Sequence, residues 1–68
     1  MEIFCKRIKE LRLESGLTQK RLAEILNTTN SAVCDWERGR TQPDLQTLTK
    51  IAVLFGVSTD YLVGLSDD

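Results

Sequence analysis

Four glycines, at positions 16, 39, 56 and 64, cut this 68-residue chain into pieces of helical length. Glycine enters the left-handed region at little cost, so it ends a helix wherever a helical pattern runs into it. Each piece carries such a pattern. From Glu2 to about Ser15, Phe4, Ile8 and Leu11 recur at i, i+4 and i+7 with Ile3 beside them, one amphipathic face that Gly16 closes. Leu17 is placed to fold back against that end. Thr18 then caps a second helix from Gln19 to about Leu26, with Leu22, Ala23, Ile25 and Leu26 apolar. Asn27 stands where a glycine is expected, and asparagine is the next most tolerant of positive φ. Asn27-Thr28-Thr29 therefore reads as a tight turn, and Thr29 or Thr28 caps a third helix from Asn30 to Arg38 that Gly39 stops.

Beyond the loop Arg40-Thr41-Gln42-Pro43, Asp44 caps a fourth helix from Leu45 to Phe55, apolar at Leu45, Leu48, Ile51, Ala52 and Phe55. Gly56 ends it. Ser58 caps a short last helix through about Val63, which Gly64 closes, and residues 66–68 are expected to fray. Sustained alternation of the kind a strand needs is missing. The expected fold is all-α, a compact bundle of five short helices forming one domain over residues 1–65. Most of these helices are too short to stand alone in water, so mutual packing must hold them.

Composition narrows the chemistry. Histidine is absent, which removes the commonest general base and the commonest metal ligand. Cys5 and Cys34 are far apart in sequence, with no ligand spacing around them, and read as free thiols used as small hydrophobes. With no phosphate-cradling glycine loop either, the expectation is no enzyme, no metal and no cofactor. No run approaches the roughly 18 apolar residues of a membrane span, and the start lacks a basic-then-apolar signal layout, so a cytoplasmic protein is expected. Nine basic residues against ten acidic ones give a net charge of −1. Any nucleic-acid function must gather its positive charge on one face.

The third helix carries the information. Wound at about 100° per residue from Asn30, it places Asn30, Cys34, Arg38, Ser31 and Asp35 between about 0° and 140°. Ala32, Trp36, Thr29, Val33 and Glu37 fall between about 200° and 340°, on the apolar side. Trp36 is thereby a core residue and not a stacking platform. Two short helices joined by a few residues, the second presenting small polar side chains at its outward N-terminal end, form the layout of a helix-turn-helix. Asparagine can pair bidentately with adenine, and serine can donate or accept at several base edges. Lys6, Arg7 and Lys9 are expected on the solvated side of the first helix.

Leu17-Thr18-Gln19-x-x-Leu22-Ala23, Val33-x-x-Trp36-Glu37-x-Gly39-x-x-x-Pro43 and Leu45-x-x-Leu48-x-x-Ile51-Ala52 come in that order, followed by Gly56-Val57-Ser58-x-Asp60-x-Leu62. In these residues the chain resembles the Cro/repressor-type helix-turn-helix family, also called the XRE family, from about Ile8 to Leu65. The resemblance implies a lambda repressor-like DNA-binding domain. It implies that Asn30, Ser31 and Asp35 read bases, with Cys34 at the edge of the same surface. Thr18, Gln19, Lys20 and Thr29 are implied to contact phosphates near the helix N-termini, and Arg38 and Arg40 to grip the backbone past the third helix. Thr18 and Thr29 can cap helices at the same time. Arg12 and Glu37 are implied to form a structural ion pair. The region of Pro43, Tyr61 and Leu62 is where the resemblance puts a dimer contact, although Tyr61 and Val63 can instead complete the core.

Three features depart from the family pattern, one of them the overall acidity, which leaves the charge of any binding face local and not global. Asn27 replaces the turn glycine, and Asp35 sets an acid on the reading face, where it either accepts from cytosine N4 or discriminates against wrong sequences. The function expected is a sequence-specific regulator of transcription on double-stranded DNA, acting as a repressor and homodimer on a pseudo-palindromic operator. The alternative is an antitoxin-like module that uses the same fold to bind a protein partner.

Overall fold

The computed structural model describes residues 2–67 and contains five helices and no strand among them: α1 (Glu2–Glu14), α2 (Gln19–Leu26), α3 (Asn30–Glu37), α4 (Leu45–Phe55) and α5 (Thr59–Val63). Each start after the first has a side-chain cap that satisfies an otherwise orphaned N–H of the opening turn. The Thr18 and Thr29 hydroxyls accept from the N–H groups of Arg21 and Ala32, both at 3.0 Å. Asp44 Oδ1 accepts from Thr47 N–H at 2.8 Å, and Ser58 Oγ from Tyr61 N–H at 2.9 Å. Thr29, not Thr28, is thus the cap of α3. The backbone N–H of Thr28 instead closes α2 by bonding the Ala23 carbonyl at 2.9 Å. Asn27 adopts φ 57°, the left-handed geometry the turn demands.

The core is built from Phe4 and Ile8 of α1, Leu22, Ala23 and Leu26 of α2, Val33 and Trp36 of α3, Ile51 and Ala52 of α4, and Leu62 of α5. Leu11, Leu17, Leu48, Phe55 and Tyr61 pack around it half-buried. Trp36 lies inside, as its helical angle required. α3 packs on both α1 and α2, and α5 on α1 and α4, so the middle helix is held from two sides.

Several side chains lie elsewhere than their spacing suggests. Ile25 and Leu45 share helical faces with core residues, yet Ile25 is exposed and Leu45 is 78% exposed. Leu45 opens the first turn of α4, whose inward residues Leu48, Ile51, Ala52 and Phe55 all lie further along the helix. Arg38 ends α3 as its C-cap.

Arg7 departs most. Lys6 and Lys9 are exposed, but Arg7 is half-buried with its guanidinium 4.1 Å from the centre of the Tyr61 ring. Its Nη1 donates to the carbonyls of Tyr61 and Ser66, the latter at 2.9 Å, and Nη2 lies 3.9 Å from Asp67. The packing of α5 on α1 brings carbonyls at the end of α5 within reach of this long side chain, whose planar fork of donors suits them. Of the stretch expected to fray, Ser66 is therefore joined to α1 through its carbonyl, while Met1 and Asp68 lie outside the described residues.

Candidate nucleic-acid interface

The arrangement of α2 and α3 rests on one buried polar network. Arg12, in the last turn of α1, donates from Nε to Glu37 Oε2 at 2.7 Å and from Nη2 to Oε1 at 3.1 Å. Its Nη1 donates to the Leu17 carbonyl at 2.8 Å, in the turn between α1 and α2. Gln19, the first residue of α2, donates from Nε2 to Glu37 Oε1 at 3.1 Å. The Arg12 and Glu37 side chains are only 10% and 4% exposed. Four segments are thereby pinned: the end of α1, the turn after it, the start of α2 and the end of α3. A two-pronged arginine–carboxylate pair is among the stronger polar contacts, and burial makes it intolerant of a missing partner. Among the described residues, no buried side-chain nitrogen or oxygen lacks a hydrogen-bond partner.

On this frame α3 turns Asn30 and Ser31 outward at its N-terminal end, with Cys34 half-buried and the Asp35 side chain 38% exposed one turn later. Thr18, Lys20 and Thr29 are exposed at the starts of α2 and α3. The opening N–H groups of a helix have no partner within it, and the helix dipole adds partial positive charge there. Such ends favour anions. Arg38 and Arg40 stand exposed on either side of Gly39. Arg40 Nη1 lies 4.0 Å from Asp35 Oδ1, so the acid on this face has a cationic neighbour within the same chain.

The resemblance implies a phosphate contact for Gln19, yet here it is half-buried and its side-chain amide donates to Glu37, a bond between α2 and α3 that no local pattern in the sequence signals. Leu62, which the resemblance puts at a dimer contact, is instead a core residue: it is 0% exposed between α5 and its neighbours and has no surface to offer a partner. Pro43 is half-buried, and Tyr61 is half-buried beside Arg7. Cys5 and Cys34 are free and half-buried, and no metal-binding cluster of histidine, cysteine or acidic residues occurs among the described residues. No helix among them is long and apolar enough to cross a membrane.

A helix-turn-helix family model matches residues 8–62. The HTH-type transcriptional regulator ImmR of Bacillus subtilis (strain 168) is 49% identical over 59 residues, covering 87% of this chain and 46% of that protein. The immunity repressor protein of Bacillus phage phi105 is 42% identical over 59 residues, covering 87% and 41%. The chain spans about half the length of the curated relatives it matches. Among solved structures, the P22 c2 repressor in complex with a synthetic operator superposes with a TM-score of 0.88 at 26% identity, covering 97% of this chain and 100% of that one. A transcriptional regulator from Listeria innocua superposes with a TM-score of 0.87 at 34% identity, covering 96% and 61%.

Proposed function

The chain belongs to the Cro/repressor-type helix-turn-helix family, and from that premise we propose that it is a sequence-specific regulator of transcription that binds double-stranded DNA through α3. The observation that carries this reading is the outward polar end of α3, Asn30 and Ser31, mounted on α1 and α2 through the Arg12–Glu37–Gln19 network. An α3 of this size is about 12 Å long, short and narrow enough to enter a major groove. In this reading Asn30, Ser31 and Asp35 meet base edges with Cys34 at their margin. Thr18, Gln19, Lys20 and Thr29 approach phosphates from the helix starts, while Arg38 and Arg40 hold the backbone beyond α3. The likeness to the P22 c2 repressor, solved with an operator, and to the phage phi105 immunity repressor supports a repressor.

A single domain of this size contacts too little DNA for high specificity, so the reading includes a homodimer on a pseudo-palindrome. Pro43 and Tyr61 remain its proposed contacts. The setting is cytoplasmic, the role is binding and not catalysis, and no cofactor or metal is invoked. The alternative, a module for a protein partner, draws on an apolar cleft between α2 and α4 lined by Ile25, Leu26, Val53 and Leu54.

Selection from a random DNA library with the purified protein tests the proposal. The expected result is an enriched inverted repeat with half-sites about one helical turn apart. Binding to it should fall steeply with salt. Asn30→Ala should then cost about 1–3 kcal/mol at one base position, whereas Arg38→Ala should weaken binding to all sequences about evenly. No enrichment, together with a partner interaction insensitive to salt, would transfer the assignment to the cleft.

A further inference from the structure

The end of α3 has a geometry with consequences for recognition. Gly39, at φ 74°, directs its own N–H to the Trp36 carbonyl at 3.1 Å and the Arg40 N–H to the Asp35 carbonyl at 2.9 Å. This is a Schellman closure, which brings together the side chains three residues before the cap and two after it. Those positions usually hold two apolar groups in contact. Here they hold a carboxylate and a guanidinium, Asp35 and Arg40, 4.0 Å apart. Their juxtaposition follows from the backbone and does not depend on a chance meeting of two long side chains.

Both members are open to solvent, with side chains 38% and 66% exposed for Asp35 and Arg40, so the pair adds little to folding. Its effect falls on the face that meets DNA. An unpaired carboxylate there repels phosphates within about 10 Å, the screening length at ordinary salt. An unpaired arginine there grips any phosphate, whatever the sequence. Paired, each suppresses the other's indiscriminate behaviour.

Building on the DNA-binding reading above, we propose that Asp35 and Arg40 form one specificity element that works by exchange of partners. In the free protein Arg40 is the counter-ion of Asp35 and is held back from phosphates. When the groove presents a cytosine, its N4 amino group donates to the Asp35 carboxylate. Arg40 is thereby released to the neighbouring phosphate. On a wrong base Asp35 has no replacement donor and retains Arg40, so the base contact and the phosphate contact are lost together. Discrimination at this position exceeds what one base contact supplies.

The test compares the full chain with Asp35→Asn, Arg40→Gln and the double variant. Binding is titrated by fluorescence anisotropy on the selected duplex and on a scrambled duplex, each at several salt concentrations. All four proteins keep Gly39 and its backbone bonds, and a circular dichroism melt verifies that they are equally folded. Asp35→Asn should tighten binding to scrambled DNA several-fold and steepen its salt dependence by about one phosphate contact. Preference for the cytosine-containing pair should fall about tenfold or more. In the Arg40→Gln background the same change should leave the salt slope unaltered, because no arginine remains to be released. An equal change of slope in both backgrounds would reduce Asp35 to a simple repulsive charge and overturn the exchange. Wild-type binding to the selected duplex with strictly additive variants defeats this inference alone. Failure of the wild type to bind any duplex defeats the DNA-binding reading as well.

Discussion

Glu37 and Asp35 lie two residues apart on α3, and each faces an arginine, but the two pairs occupy opposite worlds. Glu37 is buried and gripped by Arg12 through two nitrogens, with Gln19 adding a third bond. Asp35 is open to water and stands 4.0 Å from Arg40. The groups are chemically alike, and burial decides what each pair does. Inside, water cannot replace a lost partner, so the Arg12–Glu37 pair locks the relation of three helices. Outside, water competes for every contact, so the Asp35–Arg40 pair is cheap to open and suited to trading partners. A helix can therefore be fastened through one face and read through the other.

The largest effect is expected at Arg12. Replacing it with methionine strands the Glu37 carboxylate, an expected loss of about 3–5 kcal/mol. A chain of this length holds only roughly 3–10 kcal/mol at about 0.05–0.15 kcal/mol per residue, so Arg12→Met should unfold much of the population. Urea denaturation measures it, and combining Arg12→Met with Glu37→Leu should recover part of the loss. A cost under about 1 kcal/mol for Arg12→Met would mean that the pair is not truly desolvated. Next comes Gln19→Ala, which removes one hydrogen bond to a charged acceptor that keeps its other two. An equilibrium unfolding loss of about 1.5 kcal/mol is expected, the low end for such bonds. Asp35→Asn, in contrast, should move the unfolding free energy by no more than about 0.5 kcal/mol.

The last effect is one of pH, and it concerns a carboxylate with no arginine at all. The hydrogen bonds from the side chain and backbone of Thr47 lower the Asp44 pKa below its ordinary 3.8. A depressed folded-state value means that the contribution of this cap is fully present above the unfolded pKa and is lost as pH falls through the folded one. Asp44→Ala should therefore lower the melting temperature at neutral pH and leave a shallower acid decline. An unchanged acid limb would show that the cap contributes nothing to it.

How much of this was legible in the sequence follows from the range of each interaction. Glycines 16, 39, 56 and 64 and the caps Thr18, Asp44 and Ser58 act within a few residues, and they mark the helices almost to the residue. The helical angles of Trp36 and Val33 likewise assign them to the core. Angles alone do not reveal which neighbour lies over a given face. Arg7 therefore looked solvated until α5 covered it, Leu62 looked available until the core closed around it, and Leu45 looked inward although it precedes the turns that pack. The Asp35–Arg40 juxtaposition is different. Its spacing of five residues around a helix-ending glycine is a local signal, readable from the sequence once the closing turn is recognised. The Gln19–Glu37 bond has no such signal, because it depends on how α2 meets α3.

The division of labour between the two pairs is tested most directly by one comparison on a single variant, Asp35→Asn: the ratio of its affinities for selected and scrambled DNA, read beside its urea midpoint. The expected result is a ratio lowered about tenfold or more with the midpoint unmoved. A lowered midpoint with the ratio intact would contradict it, making Asp35 a fastening of the fold and not a reader of DNA.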